Sequence, residues 1–138
     1  CDFEANGYRL PTEAEWEWLA RGGENYKYAG SDTLDVVAWY ESNTDDTGPR
    51  EVKTKAPNGY GLYDMSGNVL EWCWDWYGTG WIIDSTAADG ASSGNNRVLR
   101  GGSWWYYDEG NCRVAYRDYG DPDYGSIGHG FRVVRQAN

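Results

Sequence analysis

The sequence is poor in positive charge. Its 12 Lys and Arg residues stand against 22 Asp and Glu, which gives a net charge of −10 at pH 7, and no block of basic residues occurs. Because proteins that bind phosphate backbones need such a positive surface, we expect no nucleic-acid partner. No apolar run approaches the roughly 18 residues of a membrane helix, and no basic start precedes a short apolar segment. We therefore expect no membrane span in this chain, and any sorting signal would lie upstream of Cys1.

Residues that carry metal and redox chemistry are scarce. The three cysteines, Cys1, Cys73 and Cys112, lack the paired CxxC spacing of a zinc site or redox motif, so we expect buried or idle thiols. His129 is the single histidine, so this chain does not supply a histidine cluster for iron. As a sole candidate base it also lacks a neighbour that would orient it for nucleophilic catalysis. We therefore predict no catalytic residues.

Phenylalanine is nearly absent, but other aromatic residues are abundant. The chain has 2 Phe against 9 Trp, 12 Tyr and 19 Gly in 138 residues, a length typical of one domain. Trp and Tyr combine large apolar area with a polar group, and they suit both loop-rich cores and recognition surfaces. Glycine at this density indicates many turns. We predict an α+β domain with short strands, few helices and long, ordered loops.

One helix is clearly marked, in the segment RLPTEAEWEWLARGG. Thr12 can cap its N-terminus, and Glu15, three residues later, completes a capping box. One helical face carries apolar residues at the i, i+3, i+4 spacing, namely Trp16, Leu19 and Ala20. The Gly-Gly pair that follows gives the stop signal.

Short strands are indicated further along the chain. In LEWCWDW the large residues are two apart, so an extended segment would place on one face Leu70, Trp72, Trp74 and Trp76. The segment NNRVLRGG is typical of a turn and a strand that ends at a glycine pair, and GFRVVR of a further short strand. Residues 24–59 show little periodicity around a short apolar run at 36–40, which indicates loop with one brief element.

Five segments follow one another in the chain: YRLPTEAEWEWLARGG, PNGYGLYDMSGNVLEWCWDWY, RVLRGGSW, CRVAYR and GFRVVR. In this order they resemble the formylglycine-generating-enzyme (sulfatase-modifying-factor) family, a variant of the C-type lectin fold. The resemblance implies a single domain over residues 1–138 of this fold. The initial strand and helix of the family do not precede the first segment. Either this sequence is a fragment or the missing part is supplied elsewhere. In the family the first and last strands pair, so one interpretation is that a cleaved N-terminal piece of the same protein stays bound at GFRVVR.

The resemblance does not extend to the chemistry of the family's enzymes. The generating enzymes bind copper through two cysteines a few residues after the GGS motif, and other side chains do not replace such a thiolate pair. Residues 105–111, WYYDEGN, contain no thiol, and Cys112 falls in the structural CRVAYR segment. The family's iron-dependent sulfoxide synthases use several histidines, which this chain lacks. We therefore expect no enzymatic activity.

The segment DMSGNVLE is a candidate calcium site. Family members bind Ca²⁺ with the residues that match Asp64, Gly67, Val69 and Glu71, and oxygen ligands on a tight turn suit this ion. The alternative is that Asp64 starts a turn and Glu71 forms a salt bridge. The EPN or QPD triplet and the WND motif of sugar-binding C-type lectins do not occur, so calcium-mediated sugar binding is not implied. We expect no required cofactor and at most a structural Ca²⁺.

Residues 101–132 have an unusual composition. Between Trp104 and Phe131, most residues are Tyr, Asp, Gly, Ser, Asn or the single His. Three interpretations compete: a solvated loop of turn residues, a catalytic pocket, and a binding surface. Tyr supplies large contact area at small entropic cost, while Ser, Gly and Asp supply adaptable polar contacts, as in antibody paratopes. A solvated loop does not need so much aromatic surface, so the composition favours a binding surface.

The genetic code relates these residue types to one another. Codons for Tyr, Asp, His, Ser, Gly and Ile (TAC, GAC, CAC, AGC, GGC, ATC) differ from the Asn codon AAC at its adenines. A template rich in AAC, copied with errors at adenine, would generate these residues and spare others such as Arg113, Ala115 and Pro122. This pattern resembles the variable proteins made by diversity-generating retroelements, several of which use this lectin-like scaffold with a variable C-terminal region.

We therefore predict a non-enzymatic protein that binds a protein or another surface ligand through residues 101–132, which a retroelement diversifies. Aromatic side chains would bury against the ligand, aspartates would favour basic partners, and His129 could add pH dependence. The resemblance implies display at the cell surface as a lipoprotein. The alternatives are a degenerate interaction domain without diversification, and an oxidase completed by a partner's metal ligands. The predicted ligand contacts are Trp105, Tyr106, Tyr107, Asp108, Gly110, Tyr116, Asp118, Tyr119, Gly120, Asp121, Tyr124, Gly125, Ser126, Ile127 and His129.

Overall fold

The computed structural model describes residues 6–45, 47–78 and 93–136, and Cys1 lies outside them. In this part of the chain no helix has the length and apolar character that a bilayer span requires, and the longest has nine residues. Short elements joined by long loops confirm the predicted α+β class. In chain order the elements are α1 (Glu13–Arg21), α2 (Leu34–Val37), α3 (Glu41–Thr44), β1 (Leu70–Trp76), β2 (Arg97–Arg100), a 3₁₀ helix (Glu109–Cys112), β3 (Arg117–Gly120) and β4 (His129–Gly130).

Helix α1 forms where its local signals predicted it. Glu15 N donates to the Thr12 hydroxyl at 3.2 Å and Thr12 N donates to the Glu15 carboxylate at 2.8 Å, so the predicted capping box is present. Gly22 ends the helix with a φ of 61°, a left-handed conformation that favours glycine. Trp16 and Ala20 are buried on the predicted face, where they join the core.

The described strands form one sheet in the order β3-β2-β1-β4, so β3 and β4 are its edges. Strand β2 is antiparallel to both β1 and β3, whereas β4 is parallel to β1. The strand predicted at GFRVVR is wrong in extent, because pairing with β1 ends at Gly130. Beyond this point the side chain of Arg132 turns to Glu71, and Val134 forms a single bridge with Arg9 instead of continuing the sheet.

The two faces of the sheet differ in what covers them. Side chains alternate along a strand, and directly paired residues point to the same side. Cys73 and Val98 point to the side of α1 and pack with Trp16 and Ala20. We call the opposite side the outer face. The alternating tryptophans of β1 share the outer face, as predicted, and are half-buried there: Trp72, Trp74 and Trp76.

A buried ion network joins the inner face to α1. The Arg100 side chain is 1% exposed and forms ion pairs of 2.7 Å with Glu13 and Glu17. Its guanidinium also donates to the carbonyl of Val114 at 2.7 Å. Arg117, the first residue of β3, donates two hydrogen bonds of 2.6 and 2.7 Å to Glu13. The start of β3 is therefore tied to the helix that supports the whole sheet.

Both cysteines in the described residues are buried thiols, as predicted. Cys73 lies in the core, and Cys112 ends the 3₁₀ helix against a second cluster that includes Tyr28 and Leu34. Burial raises the pKa of Cys112 to about 12, and it raises the pKa of Cys73 as well. Neither sulfur is therefore a thiolate at neutral pH.

Candidate ligand-binding surface

The residues predicted as ligand contacts lie at the surface of the protein. None of them is buried, and the exposed fractions of Tyr107, Tyr124 and Ile127 are 79%, 73% and 72%. They occupy the loops and short elements that follow β2. The strands beneath them carry core residues such as Val98 and Leu99, which are 0% and 1% exposed. An exposed array on a buried platform is a geometry suited to recognition.

The strand register brings two of the predicted segments onto the outer face. Trp72 pairs with Leu99 and Leu99 pairs with Asp118, so these side chains form a row across β1, β2 and β3. At the other edge, His129 pairs with Leu70, and its imidazole meets the Trp72 indole edge-on at a centroid distance of 5.4 Å. Asp118 and His129 therefore lie on one surface, on either side of Trp72.

Two tyrosines lie close to Asp118. The hydroxyl of Tyr106 donates a hydrogen bond to the Asp118 carboxylate, and the rings of Tyr106 and Tyr116 meet edge to face at a centroid distance of 6.5 Å. Burial and the hydrogen bond to Asp118 raise the pKa of Tyr106 far above its ordinary value. Burial, with the charge of Asp118, also raises the pKa of Tyr116. Both hydroxyl groups therefore stay protonated beside a carboxylate.

His129 is neutral at physiological pH. Burial lowers the pKa of its imidazole, and the negative charge of Asp118 opposes this effect. The Nδ1 atom is buried without a hydrogen-bond partner among the described residues. The imidazole therefore contributes an apolar ring contact to Trp72 rather than a positive charge at neutral pH.

Trp105 connects this surface to the turn before β4. Its ring lies against that of the buried Trp104, with centroids 5.6 Å apart. A Cβ atom placed at Gly128 would lie 3.1 Å from the Trp105 ring, so this turn approaches the indole closely. Trp104 thus anchors the segment in the core while Trp105, which is 37% exposed, faces solvent.

A separate part of the surface surrounds the 3₁₀ helix. Asp108 caps this helix by accepting a hydrogen bond from Gly110 N at 2.7 Å, so one oxygen of its carboxylate has a local structural role. Tyr107, Asp108 and Gly110 line a shallow depression together with Lys27, Glu109 and Arg113. Both charge signs therefore occur at this part of the surface.

The loop between β3 and β4 combines turn-forming and exposed residues. Asp121 accepts a hydrogen bond from Asp123 N at 2.9 Å, and Ser126 accepts one from Gly128 N at 3.2 Å. For these two side chains the turn interpretation is therefore also correct. The other predicted contacts of this loop, Tyr124, Gly125 and Ile127, are exposed.

Tyr119 does not join the outer face. It follows Asp118 in β3, so its side chain points to the other side of the sheet. Its ring packs on Tyr77 at a centroid distance of 4.7 Å, and the guanidinium of Arg117 lies 5.1 Å from the same Tyr77 ring. The predicted contacts therefore occupy two sides of the β3 edge.

Two of the four residues predicted to hold calcium, Glu71 and Asp64, accept hydrogen bonds from other protein groups. Both oxygens of Glu71 accept hydrogen bonds of 2.6 Å from Arg132, and one of them accepts a further bond of 2.7 Å from the indole of Trp16. The carboxylate of Asp64 accepts from Lys53 N at 2.8 Å. Ca²⁺ would therefore have to displace the guanidinium of Arg132 from Glu71. The calcium site at Asp64, Gly67, Val69 and Glu71 stays a prediction.

The sequence interpretation missed Trp72 as a member of the surface. The spacing of the tryptophans indicated a strand but not which elements would flank it. The contact of Trp72 with His129 depends on parallel pairing between β1 and β4, whose paired residues are 59 positions apart. Local sequence patterns do not specify such a pairing.

Comparisons with known proteins show the family to which this chain belongs. Residues 3–137 match the model of the sulfatase-modifying factor enzyme 1-like domain. The structure of Treponema denticola variable protein 1 superposes with a TM-score of 0.87 at 45% sequence identity, over 96% of this chain and 49% of that chain. This likeness confirms both the predicted lectin-like fold and the predicted resemblance to variable proteins.

Curated relatives include enzymes. The formylglycine-generating enzyme of Streptomyces coelicolor is 39% identical over 96% of this chain and 48% of its own length. The chaperone protein LppX of Paenibacillus barcinonensis is 36% identical over 95% of this chain and 50% of its own length. The chain thus spans about half the length of these two relatives.

Proposed function

Because the chain belongs to the sulfatase-modifying factor enzyme 1-like family, we propose that it is a non-enzymatic member that binds a ligand through the exposed residues between positions 105 and 129. In this proposal a retroelement diversifies these positions between gene copies. The observation that carries the proposal is that every predicted contact position is exposed or half-buried, while the neighbouring strand β2 carries the buried residues Val98 and Leu99. Substitutions at exposed positions leave a well-packed platform intact.

The chemistry of the surface favours a protein ligand with basic groups. Asp108, Glu109, Asp118, Asp121 and Asp123 supply five carboxylates to the segment 105–129, whereas its arginines are Arg113 and Arg117. Arg117 is paired with Glu13, which removes its charge from this balance. Exposed tyrosines beside such carboxylates provide large contact area and polar specificity. A few of the aromatic residues would dominate the binding energy.

The thiols of the chain argue against the copper chemistry of the generating enzymes. Thiolates suit a soft cuprous ion, and the generating enzymes are expected to hold theirs with a pair of them. The positions after Trp104 contain no cysteine before Cys112, and the Cys112 sulfur is buried with a pKa raised to about 12. The distribution of cysteines therefore favours recognition over oxidation.

We also propose an N-terminal part of the same protein as a partner. Apolar side chains are exposed near the bridge between Arg9 and Val134, namely those of Tyr8, Phe131 and Val133. Exposed apolar side chains that form a contiguous patch mark an interaction surface. This chain spans about half the length of two of its relatives, so further chain could cover these side chains. Display at the cell surface is likewise part of the proposal.

The decisive experiment is to sequence the gene and its flanks. We expect a near-duplicate of the segment that encodes residues 101–132, in which the Tyr, Asp, Gly, Ser and His codons read AAC or AAT, beside a reverse-transcriptase gene. If the duplicate is absent, the surface is fixed and the degenerate interaction domain becomes the better interpretation. Oxygen consumption by the protein with added copper or iron would instead support an oxidase completed by a partner.

A further inference from the structure

Trp72 occupies the middle of the outer face, between two segments that are far apart in the sheet. Strands β3 and β4 are opposite edges, with β2 and β1 between them. The indole of Trp72 meets His129 on β4 at a centroid distance of 5.4 Å. Toward the other edge, its Cη2 atom lies 2.8 Å from the point where a Cβ atom at position 120 would stand. Trp72 therefore lies close both to Gly120 on β3 and to His129 on β4.

Close neighbours, and not the backbone conformation, restrict the size of the residue at position 120. Positive-φ glycines in the described residues include Gly101 and Gly102, but Gly120 is not one of them. A Cβ atom at position 120 would meet Trp72 Cη2 at 2.8 Å, closer than real Cβ contacts, and Leu99 Cδ1 at 3.0 Å, which is a tight contact. Glycine inside a strand often marks such a close approach. A larger residue at position 120 must therefore move one of these neighbours.

Trp72 is the neighbour that can move. Leu99 is 1% exposed, so it is enclosed by packing on all sides, whereas Trp72 is half-buried on the outer face and is partly accessible to solvent. Displacing the free end of a partly exposed side chain costs less than overpacking a buried one. The ring also has a contact to lose, since its edge-on arrangement with His129 depends on its present position.

We propose that the residue at position 120 sets the position of the Trp72 ring and thereby determines the shape of the ligand-binding surface as far as His129. This inference rests on the proposed function, because it assigns a specificity role within that surface. Gly120 then acts through Trp72 and not by direct contact alone. A diversified residue at position 120 would change two surfaces at once, its own and that of Trp72. Positions 120 and 129 would therefore contribute to binding in a coupled, non-additive way.

Fluorine NMR of protein labelled with fluorotryptophan tests this inference without any ligand. Trp72→Phe assigns the Trp72 signal among the nine tryptophans of the chain. We expect Gly120→Ser, and also Gly120→Ala with its smaller side chain, to shift this signal by more than its line width. The matched control is Gly125→Ser, because a Cβ atom at Gly125 meets no atom within 4 Å. This control should leave the Trp72 signal in place.

A second readout comes from the single histidine, whose imidazole proton signals can be titrated without ambiguity. When the Trp72 ring leaves His129, the imidazole becomes more hydrated, so its pKa should rise toward the ordinary value in the Gly120 variants. An unmoved Trp72 signal in a folded Gly120→Ser protein would refute the inference. Failure of both Gly120 variants to fold would refute it as well, because the ring could then not yield. Neither result bears on diversification, which the gene sequence tests separately.

Discussion

Replacing Arg100 by alanine is expected to lower the free energy of unfolding by about 3 to 5 kcal/mol. The guanidinium is almost completely buried between Glu13 and Glu17 and also donates to the carbonyl of Val114. Its removal leaves two carboxylates without their most buried partner and leaves a polar carbonyl unpaired. Breaking a buried pair on one side leaves the remaining charge desolvated. Glu13 keeps Arg117 and Glu17 keeps Arg21, so the loss should lie at the lower end of this range. The magnitude therefore follows from burial as well as from the remaining ion pairs.

Arg21 provides the matched control, since it pairs with the same Glu17. This ion pair has a length of 2.7 Å, as one of the Arg100 pairs does, but it is an i,i+4 pair on the helix surface with the Arg21 side chain 39% exposed. Arg21→Ala is therefore expected to cost no more than about 0.5 kcal/mol. Equilibrium unfolding in urea, with midpoints and slopes compared among the three proteins, measures both values.

A loss below about 1 kcal/mol for Arg100→Ala, or equal losses for the two variants, would refute the reasoning. A small loss would mean that the Arg100 guanidinium is not desolvated as the packing indicates. Equal losses would mean that burial of Arg100 does not increase the stability that its ion pairs contribute. The expected result would also explain how β3 is attached to α1. Arg117 shares Glu13 with Arg100, so the strand that carries Asp118 depends on the same network.

Three further predictions concern the surface and its neighbourhood. Tyr107, Tyr124 and Ile127 are highly exposed, so changing any one of them to asparagine should alter the free energy of unfolding by no more than about 0.5 kcal/mol in urea titrations. Larger losses would contradict a surface role for these residues. The pKa of His129 should lie below 6.5 by proton NMR. Since folding favours the neutral imidazole, its contribution to stability should be complete above pH 6.5 and decline as the pH falls toward the lowered pKa, and His129→Gln should abolish this decline. If Glu71 can hold Ca²⁺, the ion must displace Arg132, so Ca²⁺ should raise the melting temperature of Arg132→Gln more than that of the unaltered protein, and equal shifts would speak against calcium at Glu71.

Elements with local signals were predictable from the sequence, and long-range pairings were not. The capping box of Thr12 and the left-handed Gly22 are properties of adjacent residues, so α1 was found with its ends. The spacing of the tryptophans likewise indicated β1. The same spacing did not reveal that the intervening residues face the core, where Glu71 and Cys73 are buried. The partner of Glu71 is 61 residues away, and no local pattern identifies Arg132 in this role.

The candidate surface was predictable in composition but not in arrangement. Residue types typical of paratopes pointed to positions that are exposed or half-buried in the structure. The register of β3 with β2 decides which of them share a face, and this register depends on the whole sheet. Trp72 escaped prediction for the same reason, since its role comes from neighbours on two other strands.

The alternation of side chains along β3 constrains how a ligand can use this surface. Asp118 and position 120 face outward toward Trp72, whereas Tyr119 faces the other side and packs on Tyr77. Because β3 is an edge strand, both of its sides are accessible from the same direction. A flat ligand resting on the outer face would contact Asp118 and leave Tyr119 free. A ligand that depends on both residues must reach around the β3 edge, so separate effects of Asp118→Asn and Tyr119→Ala on affinity would distinguish the two modes of binding.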